Sequence, residues 1–285
     1  MIGKKLLISS ILFFMFVPVG YVFSEEITRN ASIDTFFKAN EEYNAAQKAM
    51  SAKKEEALEK FKLASQLYEK LIESEFINGQ IYYNLGNAYY RQGLSGKAVS
   101  CYRRAEKLLP RNADIKANIK LLKSDFRDKD SMRQVPEIIK VLCFWYFFLN
   151  LNEITAITVY VYFALIASII SVIFLRFQWL KKLSIIFASC LFVLVVSLGL
   201  KAYGQYSVER GVLIADECKI RYGPGEEYEP KFEIHEGAEI KIEDERNEWY
   251  KVYVYVEVED VRDDEEKKDS ESNKGWIPKD KIEKI

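Results

Sequence analysis

The chain has 285 residues, 41 basic against 42 acidic, and 49% are hydrophobic. The near-neutral total hides an asymmetry: residues 204–285 hold 14 basic and 24 acidic residues, a net of −10, whereas residues 25–140 hold 21 and 17, a net of +4. An acidic C-terminal part argues against nucleic acid and against docking on anionic lipid, leaving a basic protein or a neutral polymer open.

Met1 to Lys5 is a short basic stretch, Leu6 to Val17 an apolar core, and Pro18 to Ser24 a cleavage region ending on a small residue. This pattern predicts a signal peptide over 1–24, with an uncleaved anchor as the alternative; either one exports the residues after Ser24. Further along, Phe36, Ala39, Tyr43 and Ala46 form one helical stripe, and Leu58, Phe61, Ala64, Tyr68 and Leu71 a second.

From Gly79 to Asn112 the chain carries a repeat unit of 34 residues. Tyr82-x-x-Leu85-Gly86-x-x-Tyr89 is followed by Ala98-x-x-x-Tyr102, Ala105 and Pro110, and this resembles the tetratricopeptide pattern at its signature positions. Small Gly86 and Ala98 allow two helices to approach, Gly93 and Gly96 bracket the turn, and Pro110 ends the second helix. One unit cannot bury its own face, so neighbours are expected. The upstream unit is degenerate or lengthened through Lys53-Lys54-Glu55-Glu56, and Ile115, Ile119 and Leu122 predict a capping helix. We assign 25–130 to this domain. By the resemblance, Tyr83, Asn84, Asn87, Tyr90 and Arg91 face a groove that holds an extended peptide. The competing reading has Asn84 bracing the helix pair and the tyrosines packing.

Residues 138–151 gather Phe144, Trp145, Tyr146, Phe147 and Phe148 in a stretch too short to span a bilayer; an interfacial helix or one long helix entering the membrane both fit. Next come two apolar runs, Ile154–Leu175 and Leu183–Leu200, each near the roughly 20 residues that cross a bilayer. They predict transmembrane helices over 154–176 and 183–203. Arg176, Lys181 and Lys182 in the short turn keep it cytoplasmic, so both flanking regions lie on the far side. Neither run contains a charge, Glu153 standing just before the first, which argues for an anchor and against an ion path.

Strand signals replace helical ones over 208–285. Arg221-Tyr222-Gly223-Pro224-Gly225, Glu236-Gly237, Trp249-Tyr250-Lys251-Val252 and Gly275-Trp276-Ile277 are in the order of the bacterial SH3-like barrel, which this region resembles. Gly223 and Gly225 are expected to supply unusual backbone angles around Pro224. Trp249 and Trp276 read as core or as a groove edge, and Tyr222 and Tyr228 as groove residues. Glu257 to Asn273 reads as a solvated loop, and His235 as an exposed strand residue.

No Ser-His-Asp set can form around a single histidine, no Gly-rich phosphate loop precedes a helix, and no metal spacing or Cys-x-x-Cys appears. The expectation is a non-enzyme with no cofactor and no metal; a Cys101–Cys218 bridge stays open. The fold class is a multidomain membrane protein of tetratricopeptide hairpins, two transmembrane helices and a small all-β barrel.

The order of these modules resembles the BatE family of the bacterial Bat aerotolerance operon. That resemblance implies an inner-membrane protein with both soluble domains periplasmic. It would work with other Bat-type membrane or periplasmic proteins in oxidative-stress tolerance. As a runner-up, the barrel binds peptidoglycan and the chain acts as an envelope receptor or sensor.

Overall fold

The computed structural model describes residues 19–128, 136–175, 177–254 and 273–285. The chain divides into two compact units, Met1–Ile77 and Asn78–Ile285.

The first unit is a helical hairpin of α1 (Val19–Ala49) and α2 (Lys54–Glu73). Its antiparallel pairing shows in aromatic contacts. Phe36 meets Tyr68 with centroids 6.4 Å apart, Tyr43 meets Phe61 at 5.2 Å, and the Tyr68 hydroxyl donates to Asn40 Oδ1 at 2.7 Å. The buried stripe of α2 is Ala57, Phe61, Ala64, Tyr68 and Leu71, whereas Leu58 is 45% exposed. Spacings of four and three keep one face inward, and Leu58 lies one position off it. The unit is lengthened within its helices, since Lys54, Glu55 and Glu56 form the first turn of α2. Most of the expected signal peptide lies outside the described residues, while α1 runs through the Val19–Ser24 region.

The second unit opens with α3 (Gly79–Arg91), α4 (Ser95–Leu108) and α5 (Ala113–Asp125). Asn78 caps α3 by accepting from the Ile81 amide at 2.9 Å, and Asn112 caps α5 from the amides of Asp114 and Ile115. Gly93, at φ +81, ends α3 in a left-handed turn. A Cβ on Gly86 would lie 2.6 Å from the Tyr102 ring, so α3 and α4 meet as closely as the small residues suggest. Ile115, Ile119 and Leu122 bury the inner face of α5.

The aromatic stretch is neither one interfacial helix nor part of a long one. It breaks into α6 (Glu137–Leu142) and α7 (Phe144–Phe148). Trp145 Nε1 donates to Ser197 Oγ at 3.2 Å, folding α7 back along the helix that carries Ser197. After it stand two helices long and apolar enough to cross a membrane, α8 (Leu151–Leu175) and α9 (Gln178–Tyr206). The link between them is shorter than expected, because Lys181 and Lys182 already belong to α9; Arg176 lies outside the described residues.

The early start of α8 has a local cause. Asn150 Oδ1 accepts from the Glu153 amide at 2.8 Å, and Glu153 Oε2 accepts from the Asn150 amide at 2.9 Å. This reciprocal capping box turns Glu153 from an isolated charge into a helix-start device. Lys201, on α9 and inside the expected 183–203 span, donates to the carbonyls of Tyr146 and Leu149.

The remainder is one antiparallel seven-stranded sheet: β1 (Arg210–Leu213), β2 (Glu217–Arg221), β3 (Pro230–His235), β4 (Glu239–Arg246), β5 (Trp249–Val254), β6 (Lys274–Pro278) and β7 (Ile282–Lys284). Their order is β3-β2-β6-β5-β4-β1-β7. Every strand contributes to one core, through Leu213, Ile220, Ile234, Ile240, Tyr250, Val252, Ile277 and Ile282 among others. Gly223 and Gly225 have no positive φ, contrary to expectation. At Gly223 a Cβ would lie 2.4 Å from the ring of exposed Tyr228, so the glycine makes room for that side chain. Gly237, between β3 and β4, takes φ +86 instead. All four cysteines are free, so no Cys101–Cys218 bridge forms, and nearly all of the expected 257–273 loop lies outside the described residues.

Candidate functional site

The sheet lies against the outer helices of the repeat. Gly96, at the start of α4, donates its amide to Glu236 at 2.6 Å, and a Cβ there would sit 2.6 Å from the Leu213 carbonyl. Its small size therefore serves the approach of β1 as well as the helical turn. Arg103 and Lys123 both reach Glu239, Arg104 reaches Glu283 at 2.7 Å, and Gly237 leaves room for the Phe126 ring.

His235 belongs to the same contact and is not an exposed strand residue. Its Nδ1 lies 2.9 Å from Asp128 Oδ1, and its Nε2 lies 2.8 Å from Arg127 Nη1. A guanidinium can only donate, so Nε2 accepts and Nδ1–H donates to Asp128. The imidazole ties the end of α5 to β3.

With α4 covered, the accessible side of this helical group is the α3 stripe of Tyr83, Asn84, Asn87, Tyr90 and Arg91. The structure divides these residues. Asn87 Oδ1 accepts from the Tyr102 hydroxyl at 2.7 Å and from Asn118 Nδ2 at 3.1 Å, so it braces α3 to α4 and α5. Asn84 Oδ1 accepts from Gln80 Nε2 at 2.8 Å within α3. Tyr83 is half-buried with its ring 6.0 Å from that of Tyr102. Tyr90, at 37% exposure, and Arg91 offer an aromatic face and a guanidinium to solvent. Together they suit an extended segment with an acidic group.

Residues 79–112 match the tetratricopeptide repeat family. This tetratricopeptide unit consists of α3 and α4, and it points to protein–protein interaction. Among curated proteins nothing matches the chain.

The sheet carries a second concavity, a depression of about 250 Å³ lined by Glu217, Lys219, Arg221, Glu233, Trp249 and Pro278, among others. Of the four aromatic residues singled out for this region, Trp249 alone lines it. Trp276 is 6% exposed, with Arg246 5.2 Å over its ring. Tyr222, 64% exposed, and Tyr228 stand on the adjoining turn, where Lys231 lies 5.5 Å from the Tyr222 ring. Cys218 borders the depression, and burial, the largest influence, pushes its thiol pKa up, which lowers its thiolate fraction. Among the described residues no three His, Cys, Asp or Glu side chains converge to hold a metal ion.

Sequence reasoning missed the bracing role of Asn118 and the helix–sheet contact. The opposite charges of residues 25–140 and 204–285 were its signal: part of the acidic excess is met by arginines and lysines of the same chain.

Proposed function

We propose that the chain is a non-enzymatic, membrane-anchored scaffold that holds a protein partner on the α3 side of its tetratricopeptide unit. One observation carries this reading: the sheet occupies α4, whereas Tyr90 and Arg91 on α3 remain exposed. In the finer form of the proposal α8 and α9 span the bacterial inner membrane, and the sheet is an SH3-like barrel. The repeat and sheet then stand in the periplasm, and the partners are Bat-type proteins of an aerotolerance system, as in the BatE resemblance. The nearly unburied apolar surfaces of α8 and α9 support the membrane part of this reading.

The test is a photo-crosslinking side chain placed at Tyr90 in the full chain in cells, with one at exposed Glu248 as comparison. A discrete adduct from position 90, lost on Arg91→Glu, is the expected result; equal adducts from both positions would overturn the groove assignment. A reporter fused after Ile285, active only after export, tests sidedness separately.

A second reading, a receptor for peptidoglycan, is favoured by the Trp249-edged depression, whose mixture of acids and bases suits a zwitterionic peptide. Retention of the full chain on purified cell wall, lost on Trp249→Ala, would support it.

A further inference from the structure

Where α4 and β1 meet, three cations gather. Arg104 is held by Glu283 at 2.7 Å and stacks 5.6 Å from the Tyr82 ring. Lys107 and Arg210 are different: among the described residues neither side chain forms an ion pair, and Arg210 Nε is buried without a hydrogen-bond partner. Arg104 also donates to the Lys284 carbonyl, next to Ile285, whose amide donates to the Arg210 carbonyl at 2.9 Å, and the Lys107 pKa is pushed down, first by burial and then by Arg210 and Arg104. The nearby carboxylates are engaged, Glu283 with Arg104 and Glu209 with Lys284 at 2.8 Å. Crowded cations with an orphaned buried donor are costly unless an anion completes them.

The position of the group identifies the anion. Lys107 is in the last turn of α4, whose final carbonyl, on Leu108, accepts from Asn150 Nδ2 at 3.2 Å just before α8 begins. Arg111, just beyond α4, pairs with Glu153 of α8 at 2.6 Å. Arg210 comes soon after the end of α9 at Tyr206. The cations therefore sit where both apolar helices leave the hydrocarbon, at headgroup depth, if α8 and α9 span the membrane as proposed above.

We propose that Arg104, Lys107 and Arg210 form a binding site for a phosphate group, supplied by the headgroup of an anionic phospholipid beside the helical hairpin. The Lys107 ammonium donates to the phosphate oxygens, the negative charge offsets the cost of the buried Arg210 guanidinium, and Arg104, fixed by Glu283, adds charge. The site is locally basic beside an acidic sheet, so it is where an anionic headgroup is favoured on that side of the hairpin.

The test uses the full chain purified in a neutral detergent, with Lys107→Gln, Arg210→Gln and, as control in the first unit, Lys54→Gln. Retained phosphatidylglycerol is read by native mass spectrometry, with diacylglycerol as the phosphate-free comparison, and inorganic phosphate is tested by thermal shift. Wild type and Lys54→Gln should retain phosphatidylglycerol but not diacylglycerol, and each site variant should lose roughly tenfold in retention, the scale of one charge-assisted contact. Without ligand the site variants should melt no lower than wild type, which separates lost binding from lost folding. Stabilisation by inorganic phosphate, with phosphatidylglycerol retention unchanged in the variants, would overturn the lipid source. Binding of neither would overturn the site. Release of the chain from membranes by alkaline carbonate would overturn the membrane reading, and the phosphate arm would then still report on the three cations alone.

Discussion

Arg103 of α4 and Glu239 of β4 share a buried contact, with Nε and Nη2 of the arginine 2.9 and 2.8 Å from one carboxylate oxygen. Lys123 of α5 reaches the same oxygen at 2.7 Å, so one strand acid joins two helices to the sheet. Burial acts to lower the Arg103 pKa, but the attraction of Glu239 and Glu106 outweighs it and leaves the guanidinium above its usual value. It stays charged at any pH the protein meets.

Removing this acid should loosen the unit. Glu239→Ala removes the acid that Arg103 and Lys123 share across the helix–sheet contact, while Arg103 keeps Glu106, a loss of about 2 kcal/mol. Melting of the full chain in detergent should show it, with exposed Glu248→Ala as control. Equal melting of the two variants would mean that the contact contributes nothing.

Gly96→Ala tests the approach of β1 to α4. A methyl group would lie 2.6 Å from the Leu213 carbonyl and 3.0 Å from Ile214 Cα, both backbone atoms. Overpacking of this kind costs about 1–3 kcal/mol. Hydrogen exchange should accelerate in β1 and α4 while α1 and α2 keep their protection; unchanged β1 exchange would contradict the close packing.

Within the α3 stripe, Asn87 and Arg91 should behave oppositely. Asn87→Ala removes the acceptor shared by the Tyr102 hydroxyl and Asn118 and should destabilise by about 1–3 kcal/mol, whereas Arg91→Ala should stay within about 0.5 kcal/mol of wild type. Thermal denaturation reads both. Loss of stability in Arg91→Ala would show that the arginine is structural and remove it from the groove.

Lys107 gives a pH dependence of definite sign. Its pKa in the folded chain lies below the ordinary 10.5, through burial first and then through Arg210 and Arg104. Between the two values the unfolded chain binds the proton and the folded chain does not, so stability rises with pH across that window. The contribution is complete above 10.5 and is lost as pH falls through the folded value. The melting temperature of wild type relative to Lys107→Met should therefore climb as pH approaches 10.5; a flat difference would mean an unperturbed ammonium.

Periodicity made the helical stripes, the 79–112 unit and the two apolar helices legible, because each rests on neighbours close in sequence. It misplaced details where one position matters: Leu58 in place of Ala57, and Gly223 in place of Gly237 as the glycine of positive φ. The capping box of Asn150 and Glu153 was legible in the spacing, yet an apolar run beginning at Ile154 drew the helix start past it.

Local pattern alone determined which segments become helix or strand, because side-chain periods of 3.6 and 2 are properties of the chain itself. Which faces meet was decided only in the folded chain. Arg103 and Glu239, far apart in sequence and each an ordinary surface charge by composition, become a buried pair because the sheet returns to the repeat after α9. The same return covers α4, leaves Tyr90 and Arg91 open and brings Arg210 to Lys107, whereas packing of α4 and α5 turns Asn87 inward. No spacing rule reports such contacts, since they depend on where the hairpin of α8 and α9 brings the chain back.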